Sequence, residues 1–378
     1  LKAELNGKIF DRSFLWRYSY LFAEICVKNG FPSDAMDRYR EASNLADDPE
    51  KKIALLQASS SIVECLPMSS EELLKFHTNS SYLFDGIKQF PQRDINTKRK
   101  GKSRIGYLSA SFKENITFNY IYGILVTRSR NEFEAYAYSF LPKDSEDMFT
   151  ATLKNVVDKF ICVDGMSSEE IAKKIYEDKI DILFDLTGNE VPRHEAGMNG
   201  VSSLSILARK PAPIQIANFI STTGLEAVDF FLTDNIVDPP GSHDNLFAEQ
   251  LIYMPCYICY AGRDDLKPSV IPPCKNNGYV TFGCFHRYIK ITDHMLVAWK
   301  NIIERVPNSR LVIKCPEFVS QSLQDAAYDR CKELGFNMNQ VAIEDPSVQY
   351  MERYSETSAW YQSGKIQRRT QIIRRIYH

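Results

Sequence analysis

The chain lacks several features that would fix a function class at once. No apolar run reaches the roughly 18 residues that a membrane-spanning helix needs, and the N-terminus shows no signal-peptide apolar segment. A cytoplasmic protein without a membrane span is therefore expected. An excess of either charge is missing as well: 46 Lys and Arg stand against 48 Asp and Glu, a formal net charge of −2. That balance gives no global electrostatic pull toward nucleic acid or an anionic membrane, so no nucleic-acid partner is expected. Cysteines at zinc-ligand spacing are absent too. The nine cysteines are odd in number and scattered mostly through apolar stretches, as reduced buried thiols are. Cys256-Tyr-Ile-Cys259 is a lone CxxC with no second pair, and a structural zinc needs four ligands, so no metal is expected.

What is present has globular composition. The 378 residues are 44% hydrophobic and 25% charged, which suits two or three packed domains rather than disorder. From Asp11 to Pro67 the spacing is helical. Leu21, Ile25 and Val27 precede a Gly30-Phe-Pro32 turn, and Ala35, Met36, Tyr39, Ala42 and Leu45 then recur at helical spacing. Asp47-Asp48-Pro49 breaks the helix; Ile53, Leu56 and Ile62 restart the pattern. A helix, a Gly-Phe-Pro turn and a helix with small residues at Ala35 and Ala42 resemble tetratricopeptide packing, with an ordinary α-hairpin as the alternative. Residues 1–97 are read as this tetratricopeptide-like region, and Lys98-Arg-Lys-Gly-Lys102 as a basic linker, 98–102.

Beyond the linker the period changes. Strand-like runs over 104–109, 133–140, 160–163, 181–186, 214–217 and 230–234 appear, the first four separated by helical candidates near 117–128, 146–157 and 167–178. That is the signature of a mainly parallel α/β sheet, and near-continuous apolar strands imply that both faces are covered. A second unit opens at Gly278. A strand over 279–284, a turn, a helix with Met295, Trp299, Ile302 and Ile303 inward, and a strand over 311–313 make one βαβ unit. Only about 80 residues follow its first strand, where a doubly wound domain usually needs on the order of 100–150. The expected architecture is α/β, with a first Rossmann-like lobe over 103–275 and the start of a second, incomplete lobe over 276–358.

Six ordered motifs carry a family resemblance. Arg104-Ile-Gly-Tyr-Leu-Ser-Ala-Ser-Phe112, Ile182-Leu-Phe-Asp-Leu-Thr-Gly188, Ala208-Arg-Lys-Pro-Ala-Pro-Ile-Gln215, Thr222-Thr-Gly-Leu225, Val228-Asp-Phe-Phe-Leu-Thr-Asp234 and the 278–314 run together resemble the catalytic region of O-GlcNAc transferases and Spindly-type proteins. The resemblance implies two lobes of the glycosyltransferase B type. It also implies a UDP-sugar, UDP-GlcNAc or a relative, as co-substrate with no other cofactor, and protein Ser or Thr hydroxyls as acceptors. The helical region would present the acceptor proteins. A non-catalytic remnant that binds protein or nucleotide sugar is the alternative.

An inverting sugar transfer must neutralise the departing diphosphate, align the anomeric carbon with the acceptor oxygen and accept a hydroxyl proton. Lys290 matches the family's lysine that contacts the diphosphate, and it precedes a helix whose expected N-cap is Thr292, so a cation and unpaired helix amides would meet an anion. His286 and Arg287 occupy the loop where the family has polar amides beside the nucleotide. Where the family has a histidine after the first strand, this chain reads Ser111-Phe-Lys-Glu-Asn115; where it has Gly-His-Thr after the fourth, this chain reads Gly188-Asn189-Glu190. Asparagine hydrogen-bonds a sugar hydroxyl but takes no proton near neutral pH, so Asn115 and Asn189 are read as sugar or acceptor contacts. His194 would substitute as a base only if its loop folds back, and Asp185, Glu190 and Glu195 are read as cap or surface carboxylates. Gln215, Thr223 and Gly224 complete the expected substrate contacts. The resemblance then calls for an Asp-rich strand and a Gly/Thr-rich loop, but 359–378 is an aberrant basic tail with no acid after Glu356. A C-terminally truncated catalytic region of crippled activity is the expectation.

Overall fold

The computed structural model describes residues 12–93, 101–188, 193–194, 197–198, 201–218, 221–256 and 271–345. They form two compact units, the first taking in Arg12–Leu21 and the described residues from Met36 through Cys256, the second those from Ile271 through Asp345 together with Phe22–Ala35. Most of the basic linker, the segment after Asp345 and the basic tail lie outside the described residues. Among the described residues no helix is long and apolar enough to cross a membrane.

Four helices lead the chain: α1 (Arg12–Lys28), α2 (Pro32–Leu45), α3 (Pro49–Val63) and α4 (Ser70–Thr78). The sequence locates α1 but reads its face wrongly. Trp16, Tyr20, Ala23 and Val27 are buried at helical spacing, while Leu21 and Ile25 are exposed. On α2 the expected residues Ala35, Met36, Tyr39 and Ala42 are all buried. Asp48 caps α3 by accepting from the Glu50 N–H at 3.0 Å, with Pro49 at the first helical position. A capping box between Ser69 and Glu72 starts α4.

The first unit is built on a seven-stranded sheet. Its strands are β1 (Ser103–Ser109), β2 (Phe133–Ser139), β3 (Lys159–Cys162), β4 (Ile182–Asp185), β5 (Ile214–Ala217), β6 (Phe230–Asp234) and β7 (Gln250–Met254). They run in the order β3-β2-β1-β4-β5-β6-β7, every pair parallel. Successive residues of a strand face opposite sides, so Leu108 joins Ile171, Ile175, Leu183 and Leu207 in one core while Tyr107 joins Phe112, Ile121 and Leu125 in the other. Helices α5 (Ile116–Thr127), α6 (Met148–Val156), α7 (Ser168–Glu177) and α8 (Ser203–Ala208) complete the unit. The first three match the sequence expectation closely; β7 was not anticipated. Chain order reverses between β1 and β4, the place where open parallel sheets leave a crevice beyond the strands' carboxyl ends.

The second unit repeats the theme on a smaller scale. Strands β8 (Val280–Cys284), β9 (Ser309–Lys314) and β10 (Val341–Glu344) are parallel neighbours in that order, joined by α9 (Asp293–Arg305) and α10 (Gln321–Glu333). Leu296, Trp299 and Ile303 of α9 pack on Leu311, Ile313 and Phe318. Ile302 was expected inward but is 44% exposed, because one residue turns a helix by about 100° and its neighbour Ile303 already faces the sheet.

Candidate functional site

At the carboxyl ends of β4 and β5 the first unit holds a small cavity of about 10 Å³, lined among others by His77, Asp185, Asn218, Ser221 and Thr222. That is room for about one water molecule. Asp185 ends β4 with its carboxyl group buried. It accepts from the Thr187 N–H at 2.9 Å, from the Thr187 hydroxyl and from Ser203 Oγ at 3.0 Å. Burial outweighs those bonds and pushes its pKa up to about 6. Ser202 caps α8, accepting from the Leu204 N–H at 3.1 Å. From α3, the buried Gln57 side chain donates to the Gly188 carbonyl at 2.8 Å and to Ser203 Oγ at 3.0 Å, and accepts from the Ser202 hydroxyl.

The loop after β5 is gripped by two other residues. Glu249, nearly buried ahead of β7, accepts from Thr222 Oγ1 at 2.6 Å, from the Thr223 N–H at 2.7 Å and from the Thr223 hydroxyl. His77 of α4 comes from the other side, its Nε2 3.3 Å from Ser221 Oγ. Burial disfavours a charged imidazole and pushes His77 down to about 4. Gly224 has φ of +68°, and a Cβ there would sit 2.7 Å from the backbone C and O of His77, so only glycine permits this approach. Asn218 is buried, and among the described residues neither of its side-chain polar atoms has a hydrogen-bond partner.

The expected substrate contacts are placed unevenly. Thr223 lines the cavity, although its hydroxyl donates to Glu249 and accepts from the Leu225 N–H at 3.2 Å. Asn115 is the N-cap of α5: its Oδ1 accepts from the Phe118 N–H at 3.0 Å and its Nδ2 donates to the Ser111 carbonyl at 2.9 Å. Gln215 is fully buried and donates to the carbonyls of Leu207 and Ala227. Asn189, Glu190 and Glu195 lie outside the described residues, and His194 sits in a two-residue strand paired with Gly197–Met198. Sequence reasoning missed Gln57, His77 and Glu249. The only local sign was that His77 falls near the end of a helix whose capping box is legible.

In the second unit Lys290 ends a short 3₁₀ turn just beyond β8. It is exposed and makes no ion pair among the described residues. Thr292 caps α9 as anticipated, accepting from the Met295 N–H at 3.3 Å. His286 is exposed, and Arg287 lies with Nε 3.4 Å from Glu317, which also accepts from the Tyr288 N–H at 3.1 Å. A cation thus stands before a capped helix at the carboxyl end of a parallel strand, a geometry suited to phosphate. Burial raises the thiols of Cys284, Cys315 and Cys331, the last to about 11, in keeping with unreactive reduced cysteines.

Two parallel Rossmann-like sheets are the fold type of glycosyltransferases of the B class. The profile of glycosyl transferase family 41 matches residues 82–265. An Arabidopsis thaliana protein described as a probable UDP-N-acetylglucosamine–peptide N-acetylglucosaminyltransferase, SPINDLY, is 32% identical over 265 residues, 69% of this chain and 27% of that protein. A second protein of that plant with the same description, SEC, is 31% identical over 232 residues, 57% of this chain and 22% of that one. A solved mutant O-GlcNAc transferase from Thermobaculum terrenum shares the fold with a TM-score of 0.77 at 21% identity, covering 90% of this chain and 63% of that one. The chain spans about a quarter of the length of the curated relatives it matches.

Proposed function

We propose that the protein is a nucleotide-sugar-dependent protein O-glycosyltransferase, moving a sugar, GlcNAc by the relatives' names, from UDP to Ser or Thr hydroxyls of acceptor proteins. The observation that carries the reading is Lys290, set in its family motif at the carboxyl end of β8 before a capped helix. In the transfer the acceptor oxygen bonds to the anomeric carbon as the bond from that carbon to the diphosphate breaks. The electron pair leaves on the diphosphate, and the hydroxyl proton passes to a base. Lys290 and the amides of α9 meet the charge on the leaving group, which is where preorganised charge does most for the rate. His286 and Arg287 flank the nucleotide. In the first unit the Thr223–Gly224 turn, and Asn189 by its motif alone, are the sugar or acceptor contacts, while Asn115 and Gln215 hold backbone in place. The helical segment presents acceptor proteins, and the setting is cytoplasmic.

The test incubates the full chain with labelled UDP-sugars and candidate acceptor proteins. Label transfer is expected, reduced about 10²–10³-fold by Lys290→Ala. No transfer with any donor would overturn the transferase reading. Donor binding by calorimetry without transfer would instead support the alternative, a non-catalytic binding protein.

A further inference from the structure

We propose that the helical segment helps to build the site itself: Gln57 of α3 and His77 of α4 are positioning residues that fix the two loops beyond β4 and β5, with Glu249 gripping the second loop from its other side. The functional consequence rests on the transferase reading; the positioning does not.

Gln57 lies 131 residues before Gly188 in sequence, yet its amide donates to that residue's carbonyl and to Ser203 Oγ while its oxygen accepts from Ser202. One buried side chain thus ties the start of the loop after β4 to the start of α8. Ser203 passes the constraint on, donating to Asp185 at the end of β4. The β5 loop is held independently. Its Thr222 and Thr223 direct three donors at Glu249, and its Ser221 meets His77 Nε2. Gly224 lies directly against the His77 backbone. Inside the loop, the Gly224 N–H donates to Thr222 Oγ1 and the Leu225 N–H to Thr223 Oγ1, each at 3.2 Å, so the hydroxyls that bond Glu249 also set the turn. Side chains that only filled space would not direct polar atoms at these loops, as Gln57 does at the first and His77 and Glu249 at the second. Asn218, at the base of the β5 loop, lines the cavity with both amide atoms unpartnered among the described residues.

Amide hydrogen exchange on the full chain tests this without requiring transfer. In His77→Ala, amides over 221–228 should exchange about tenfold faster while β1 and β2 stay unchanged, the loss of one hydrogen bond's worth of local stability. His77→Gln, which can offer an amide nitrogen near the same place, should restore most of the protection. Ser221→Ala removes the loop's side of the contact and leaves α4 intact; it should reproduce the local effect even if His77→Ala folds poorly. Where transfer is measurable, His77→Ala should lower kcat about tenfold with the donor KM nearly unchanged, since a misplaced loop spoils alignment rather than donor binding. Unchanged exchange over 221–228 in both variants would overturn the proposal, as would an equal rise across the whole first sheet.

Discussion

His77 and Asp185 line one cavity and titrate in opposite senses. Burial keeps His77 neutral, with its pKa lowered from 6.5 to about 4, so the stability it contributes is present above pH 6.5 and lost as pH falls toward 4. Burial favours the protonated form of Asp185 and raises its pKa from 3.8 to about 6, so its contribution is present below pH 3.8 and lost as pH rises toward 6. Between about pH 4 and 6 the two slopes oppose, each amounting to about 3 kcal/mol across its window. In Asp185→Asn stability should therefore rise from pH 4 to pH 6 more steeply than in wild type, and in His77→Gln it should fall relative to wild type. Urea unfolding at pH 4, 5 and 6 reads both, and parallel pH profiles for the three proteins would refute the pairing. Of these residues Asp185 was visible in the sequence only as a cap or surface carboxylate. Its burial depends on Ser203, Thr187 and Gln57 closing over it, and no local pattern encodes that.

At the scale of elements, capping and periodicity carried most of the legible information. Thr292 was readable as an N-cap because the cap bond spans three residues; the Ser69–Glu72 box is as local but was not picked out in the sequence. Thr292→Ala should cost about 1 kcal/mol of second-unit stability while Thr292→Ser retains most of it, measured by urea unfolding. The α5, α6 and α7 spans also followed from sequence, since each is a periodic stretch between apolar strands. Strand β7 did not, because the sequence reading closed the sheet at 230–234 and nothing within Gln250–Met254 names β6 as its partner. The exposed face of α1 shows the same limit. Leu21 and Ile25 signal a helix, but which stripe is buried depends on what packs there.

For the whole molecule, two separate cores predict two separable responses to mutation. Leu108 is fully buried in the first unit and Phe318 in the second. Leu108→Ala should cost about 2–5 kcal/mol and Phe318→Ala about 3–5 kcal/mol, and in calorimetry each should lower a different unfolding transition. A common shift of one transition by both variants would show that the cores melt together. The sequence by itself determined the α/β alternation, the two Rossmann-like units, the family resemblance and the lysine before a capped helix, because each is written in residues close together along the chain. Only the tertiary structure decided that Gln57, His77 and Glu249 converge on the loops beyond β4 and β5. Their contacts span 26 to 146 residues of sequence, and at such separations a hydrogen bond follows from packed helices and sheet order rather than from local spacing.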